Sequence, residues 1–261
     1  MLHPLRVLLL LLALALSLRA DEFDVRTYTD AAGAAHPYRL LVPAGYDPAQ
    51  KYPLAVFFHG AGQRGDDNTA QLHNAGSFLL PANRAKFPCF VIALQCPHGK
   101  QWVDMKWSDL SGTRPAQPGE RMQLALDILA SVQKEFSVDP DRLYLMGLSM
   151  GGYAVWDCVT RFPDRFAAGI AVCGSGDEST VTPAVAKVPV WAFHSADDPT
   201  VPVGRSRHMV DAMTQAGGHP RYTEYQGLGH GSWGKAFAEP DLFPWLFAQR
   251  LGQADPLPAL P

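Results

Sequence analysis

Short apolar runs bounded by turn residues recur along the chain, at Leu54-Ala55-Val56-Phe57-Phe58, Phe90-Val91-Ile92-Ala93-Leu94-Gln95, Leu143–Met146, Ala167–Val172 and Pro189–Phe193. A strand with no polar alternate face is buried on both sides, as in a parallel sheet covered by helices. Between these runs the spacing turns helical. Met122, Ala125, Ile128, Leu129, Val132 and Phe136 share one face of a helix predicted over 120–136, with Pro140 as its punctuation before the next strand. A helix after Ser149 should end near Phe162, because Pro163 disfavours helix at the residue before it. Further helices are predicted at about 205–216 and from Pro240-Asp241, with an edge strand at Arg221–Tyr225. Ahead of all of these, Val25–Thr29 and Tyr38–Val42 flank an Ala32-Gly33-Ala34 turn and predict a hairpin. The expected fold class is α/β, a mostly parallel central sheet with helices on both faces and an N-terminal hairpin.

Length and composition narrow this picture. A chain of 261 residues, 47% hydrophobic and 18% charged, suits one α/β domain with a full core. A formal charge of −3 gives no reason to expect nucleic acid or an anionic membrane as partner. Arg6 followed by the apolar run Val7–Leu18 reads as a secretory signal over 1–20, too short to span a bilayer. Cleavage could follow Ser17 or Ala20. The expected organisation is therefore a signal peptide over 1–20, a catalytic domain over 21–251 and a loose tail over 252–261, in a secreted or periplasmic protein with no stable membrane span in its mature form. Oligomeric state is not legible.

The four cysteines do not form a disulfide framework. Cys89 and Cys96 bracket one strand, which separates them by roughly 23 Å at about 3.3 Å per residue, against the roughly 7 Å that a bridge allows. Four free, largely buried thiols are expected. Their spacing fits no zinc template and no H-E-x-x-H occurs, so neither a metal nor a cofactor is expected.

The chemistry concentrates at Leu143-Tyr144-Leu145-Met146-Gly147-Leu148-Ser149-Met150-Gly151-Gly152, a buried strand running through G-x-S-x-G into a helix. That context is a nucleophile elbow, a tight strand-to-helix turn that exposes one serine hydroxyl above a sheet. A neutral serine is a poor nucleophile and needs a base and a group to orient that base. In such folds they follow in the order acid, then histidine. After the strand ending at Phe193 come Asp197 and Asp198, either of which could serve. Of the downstream histidines, His208 falls within a helix and His219 at the wrong end of the edge strand. His230, in Gly227-Leu228-Gly229-His230-Gly231, follows that strand and stands on the same rim as Ser149. The oxyanion requires two preorganised N–H donors. Met150 supplies one, and the loop after His59-Gly60 the other, from Ala61 first and Gly62 as fallback. His59 itself reads as a structural hydrogen-bonding residue.

His59-Gly60-Ala61-Gly62-Gln63-Arg64-Gly65-Asp66-Asp67-Asn68, Gln95-Cys96-Pro97, Gly147-Leu148-Ser149-Met150-Gly151-Gly152, Asp198-Pro199-Thr200-Val201-Pro202 and Gly229-His230 together resemble the secreted α/β-hydrolases of the phospholipase/carboxylesterase and dienelactone-hydrolase-like group. Those labelled predicted peptidases, for likeness to the prolyl oligopeptidase catalytic domain, are the most similar. The resemblance runs from about residue 36 to 250. It implies an α/β-hydrolase fold and places the acid at Asp198 in the D-P-x-V-P turn, leaving Asp197 as a loop-capping residue.

The resulting expectation is a serine esterase with Ser149, Asp198 and His230 as its triad, acting on small-molecule or carbohydrate-linked esters. A serine peptidase using the same triad is the rival, and a non-catalytic binding protein on the same fold is a third reading. Trp107 and Trp233 could line an acyl or aryl pocket, with Trp102 divided between pocket and loop packing, and Gln63 and Arg64 could bind a polar part of the substrate. Gly174 to Val188 is an ordinary connection, so no large lid is expected.

Overall fold

The computed structural model describes residues 22–253; the signal expected over 1–20 and the tail beyond Gln253 lie outside the described residues. An eight-stranded sheet runs through the molecule in the order β1-β2-β4-β3-β5-β6-β7-β8. The strands are β1 Asp24–Thr29, β2 Ala35–Leu41, β3 Tyr52–Phe58, β4 Phe90–Leu94, β5 Val138–Leu148, β6 Ala168–Val172, β7 Val190–Ser195 and β8 Arg221–Tyr225. From β3 to β8 all neighbours are parallel, while β1 and β2 form the expected hairpin and join β4 antiparallel.

Alternation along each strand explains why both faces must be covered. Leu54, Val56 and Phe58 of β3 enter one core with Ile92, Leu145 and Ala192, whereas Ala55 and Phe57 enter the opposite one with Val91, Met146 and Phe193. Three helices close the first face: α2 Glu120–Glu135, α3 Met150–Arg161 and α4 Gly204–Gln215, through Met122, Leu129, Trp156 and Met209. The second face is closed by α6 Leu242–Ala248 through Leu242, Trp245 and Leu246, and by Phe78 of a 3-10 turn preceding α1 Pro81–Lys86. Each fully buried Leu, Val or Phe contributes about 1.5–3 kcal/mol, so both layers are needed to hold the sheet.

Some boundaries differ from those expected. β5 begins at Val138, not Leu143, and contains Pro140 where the pairing with β3 shifts between Tyr52 and Leu54. A residue without an N–H is tolerated at such an irregularity. α6 starts at Leu242, two residues after the expected Pro240, and a short helix, α5 Trp233–Ala236, intervenes. All four cysteines are free and buried. β6 and β7 are joined by 173–189, which carries two single-turn 3-10 helices, Glu178–Thr180 and Val185–Lys187.

Candidate active site

β5 ends at Leu148 and α3 begins at Met150, leaving Ser149 alone in the turn with φ 52° and ψ −119°. A non-glycine residue at positive φ stores strain and persists only where its surroundings over-determine it. Here the surroundings are backbone. A Cβ on Gly151 would lie 2.0 Å from Phe58 O, and one on Gly147 would lie 2.3 Å from Gly151 O. Glycine therefore lets α3 press against the ends of β3 and β5, and Ser149 N–H donates to Val172 O at 2.8 Å to pin the turn.

The carboxyl ends of β7 and β8 bring two more side chains to Ser149. Its Oγ lies 2.9 Å from His230 Nε2, and His230 Nδ1 lies 2.7 Å from Asp198 Oδ2. With Nδ1 facing a carboxylate, the proton belongs on Nδ1, so Nε2 is the acceptor for the serine hydroxyl. Asp198 Oδ1 accepts from the backbone N–H groups of Thr200 and Val201 at 2.8 and 3.0 Å. Burial works to raise its pKa, but hydrogen bonds from His194, His230, Val201 and Thr200 outweigh burial and hold the carboxyl well below the usual carboxylate range.

The neighbouring aspartate does something else. Asp197 accepts from Ser195 Oγ at 2.5 Å and from the N–H groups of Gly227 and Gly229 at 3.1 and 3.2 Å. It ties the loop carrying His230 to the end of β7 and makes no bond to His230 itself. Leu228 N–H adds a bond to Ser195 Oγ at 3.2 Å, so the same short cluster fixes the three residues that lead into the base.

Ala61 opens a 3-10 turn, Ala61–Gln63, and Met150 is the first residue of α3. Backbone N–H groups at such starts have no acceptor within their own helix, so both are donors of the kind an oxyanion needs. The loop rests on the elbow, since a Cβ on Gly60 would meet Leu148 Cδ1 at 2.8 Å. His59 braces it from below. Its Nε2 accepts from Cys96 N–H at 2.8 Å and its Nδ1–H donates to Gly60 O at 2.7 Å. Burial lowers its pKa to about 4, which keeps the ring neutral as this bonding requires.

Trp102 belongs to this scaffold rather than to a pocket. It is buried, donates Nε1–H to His59 O at 3.0 Å and packs edge-on against Phe58 and His59. Arg64 is partly tied into its own loop, with Nε donating to Ala61 O at 3.0 Å, while its guanidinium sits 6.0 Å from the centre of the Trp107 ring. Gln63 is half-buried and its carbonyl accepts from Gln95 Nε2 at 3.1 Å. Trp107 lines a cavity of about 470 Å³ with Gln101, Asp104, Met105, Lys106, Ser108 and Thr200. Thr200 joins that cavity to the loop of Asp198. Trp233 packs edge-on against His230 at 5.5 Å. His208 is exposed on α4 and His219 lies before β8, so neither approaches Ser149.

Two residues at the site went unnoticed in the sequence. Cys173, at φ 41°, brings its thiol within 4.8 Å of ligand atoms of Asp198 and His230. Burial pushes that thiol up to about 12, and Asp198 and His230 are already bonded to each other, so the trio is a poor metal-ligand set. His194 is the other. It lies wholly buried on β7, with Nε2 3.2 Å from Asp198 Oδ2. Its signal is a histidine that directly follows the apolar run Val190–Phe193 within the same strand, four residues before the acid.

Residues 99–182 match the prolyl oligopeptidase family. Over 147 residues, 52% of this chain, it is 24% identical to a probable carboxylesterase SOBER1-like protein of Arabidopsis thaliana, covering 56% of that protein. Over 174 residues it is 25% identical to a bifunctional acetylxylan esterase/xylanase of Neocallimastix patriciarum, covering 23% of it. Among solved structures, a thermostable esterase shares 38% identity at a TM-score of 0.81, over 89% of this chain and 64% of that one. A ferulic acid esterase at 17% identity and TM-score 0.66, spanning 98% of its chain, shares the α/β-hydrolase fold.

Proposed function

We propose that this chain, an α/β-hydrolase of the carboxylesterase and prolyl-oligopeptidase-like group, is a serine hydrolase that cleaves carboxylic esters through an acyl-enzyme. The observation that carries the reading is the continuous hydrogen-bonded line from Ser149 Oγ through His230 to Asp198, at 2.9 and 2.7 Å, on a positive-φ elbow. His230 Nε2 takes the hydroxyl proton as Oγ attacks the ester carbonyl carbon. The N–H groups of Met150 and Ala61 receive the negative oxygen of the tetrahedral intermediate. Collapse returns the proton from His230 to the leaving alcohol and leaves the acyl group on Ser149. Water then repeats the sequence and releases the acid, while Asp198 stays ionised and holds the tautomer of His230.

The preferred substrates are short or aromatic acyl esters on polar alcohols, including carbohydrates. Support comes from the acetylxylan and ferulic acid esterases to which the chain is similar, and from the cavity beside Trp107, which Gln101, Asp104, Lys106, Ser108 and Thr200 share with Met105. The connection between β6 and β7 is too short for a covering domain. A long alkyl chain left in water contributes none of its roughly 0.8 kcal/mol per buried methylene. A chain-length series of monomeric esters should therefore peak at short acyl groups, with no jump at an interface; a rate climbing steadily to palmitoyl would overturn this. Ser149→Ala should lose turnover by about three orders of magnitude or more, together with fluorophosphonate labelling, with the fold intact. Retention of more than about a tenth of the turnover would remove the mechanism.

A serine peptidase is the second reading, favoured by the prolyl oligopeptidase match and by 28% identity over 136 residues to dipeptidyl-peptidase 5 of Porphyromonas gingivalis. Paired ester and amide substrates sharing one acyl group separate the two. Export is proposed from the leader at 1–20, and N-terminal sequencing of the mature protein should begin at Leu18 or Asp21.

A further inference from the structure

One fully buried histidine beside the site has no part in the mechanism above. His194 has its ring fixed at both ends. Nε2 lies 3.0 Å from Val201 O and 3.2 Å from Asp198 Oδ2. A carbonyl and an ionised carboxylate offer only lone pairs, so Nε2 must carry a proton. Nδ1 lies 2.7 Å from Ser206 Oγ of α4, whose single hydroxyl proton serves either Nδ1 or Gly174 O, 2.8 Å away. The ring is thus clamped between the loop after β7 and a helix packed across the sheet.

The donors around Asp198 make the purpose of this clamp specific. Oδ1 accepts the backbone N–H groups of Thr200 and Val201, and Oδ2 accepts from the His230 ring and is approached at 3.2 Å by the His194 ring N–H, which it shares with Val201 O. A carboxylate has about four lone-pair sites, and this one meets a donor at each. Its side chain has no exposed surface, so no water can replace a missing donor without rearrangement. The other carboxylates near His194 are engaged elsewhere. Glu224, its neighbour on β8, pairs with Arg207 of α4 at 2.7 Å, and Asp197 holds Ser195, Gly227 and Gly229.

We propose, on the footing of the serine-hydrolase reading, that His194 is a positioning residue for the triad acid: the second ring N–H on Asp198 Oδ2, which sets the rotation of the carboxylate that orients His230. With His194 in place, the plane of the carboxylate is fixed from both oxygens. Without it, Oδ2 is held by His230 alone, the very group it must orient. The acid and base then swing together, and the Nε2 lone pair no longer stays aimed at Ser149 Oγ.

The test combines spectroscopy on the unaltered protein with kinetics on two variants. In ¹⁵N-histidine-labelled protein, Nε2 of His194 should carry a proton throughout the pH range of activity; a bare Nε2 overturns the proposal. This measurement decides even where a variant does not fold. His194→Phe keeps a ring without a donor and should lower kcat by about 10- to 100-fold with KM changed less than about threefold. His194→Gln, whose amide N–H can reach toward Asp198, should recover most of that loss. A folded His194→Phe with the kcat of the parent, or a loss that His194→Gln leaves unrelieved, assigns the residue to packing and overturns the proposal. Ser149→Ala run alongside keeps the two questions apart. If that variant remains active, the hydrolase reading falls; if it is inactive while His194→Phe is fully active, only the role of His194 falls.

Discussion

The nucleophile and its partners are held by opposite means. Ser149 sits on backbone packed against backbone, where a single added methyl at Gly151 or Gly147 would overlap a peptide unit. Asp198 and His230 sit on loops held by side chains, through Asp197, Ser195 and the N–H groups of Thr200, Val201, Gly227 and Gly229. Backbone contact cannot yield, because the atom in the way is a peptide oxygen of β3, a strand paired on both sides, or of α3. A side-chain hydrogen bond can lengthen, and those of the exposed Asp197 can trade their partner for water at the rim. The elbow should therefore fail by losing the fold, and the loops by losing rate.

Asp198→Asn puts the loop half of that contrast to the test and should have the largest effect. The amide keeps the shape but can turn an NH₂ toward His230, favouring the wrong tautomer. The expected loss is about 10³- to 10⁴-fold in kcat, roughly 4–5.5 kcal/mol of transition-state stabilisation, with little change in unfolding midpoint. A loss under tenfold would mean that another group orients the base. Gly151→Ala should do the reverse, lowering stability in urea by about 4 kcal/mol or more, since its Cβ would lie 2.0 Å from Phe58 O. A midpoint equal to that of the parent would show that the elbow can relax, and the contrast would dissolve.

His59 sharpens the comparison through pH. Burial holds its pKa down to about 4, below the ordinary 6.5. Between those values the unfolded chain binds a proton that the native ring refuses, so stability falls as pH drops from 6.5 toward 4 and is insensitive to this group above 6.5. The full effect is about 3 kcal/mol at most. Urea unfolding across that window should show the slope, and His59→Gln should flatten it; an unchanged slope would assign the pH dependence to other groups. The smallest effect belongs to Asp197→Asn, which keeps an acceptor oxygen for the loop. It should cost less than about tenfold in kcat, near 1.4 kcal/mol, and a loss matching that of Asp198→Asn would reverse their roles.

The same division explains what could be read from the sequence. Backbone-built features leave compositional marks: glycines flanking Ser149, unbroken apolar runs and a proline after α3 all point to the elbow and to the parallel sheet around it. His230 is legible from its place after a strand and Trp233 from its place beside His230, whereas position leaves Asp197 and Asp198 open and only the resemblance of the D-P-x-V-P turn points to Asp198. Where several side chains could have served, the spacing alone was mute. Trp102 looks like Trp107 in sequence, yet one supports His59 O and the other lines a cavity. His194 is not legible because it precedes the acid in the chain, and only the folded loop returns Asp198 onto the strand that carries His194. The start of β5 at Val138 escaped because Pro140 argues against a strand unless pairing is locally irregular, and that irregularity is a tertiary event.

The strand order also has a consequence for how activity arises as the chain folds. Ser149 follows β5, near the middle of the sheet, whereas Asp198 and His230 follow β7 and β8, the last strands both in the chain and toward one edge. Parallel pairing needs a long crossover for every strand, so these edge additions are slow, non-local steps. A partly assembled chain can carry a formed elbow with neither acid nor base beside it, and its serine is an ordinary alcohol. On the proposed mechanism, reactivity appears only when β8 docks. Turnover recovered during refolding should then lag behind burial of the central strands, making the catalytic act a clock for the final stage of assembly.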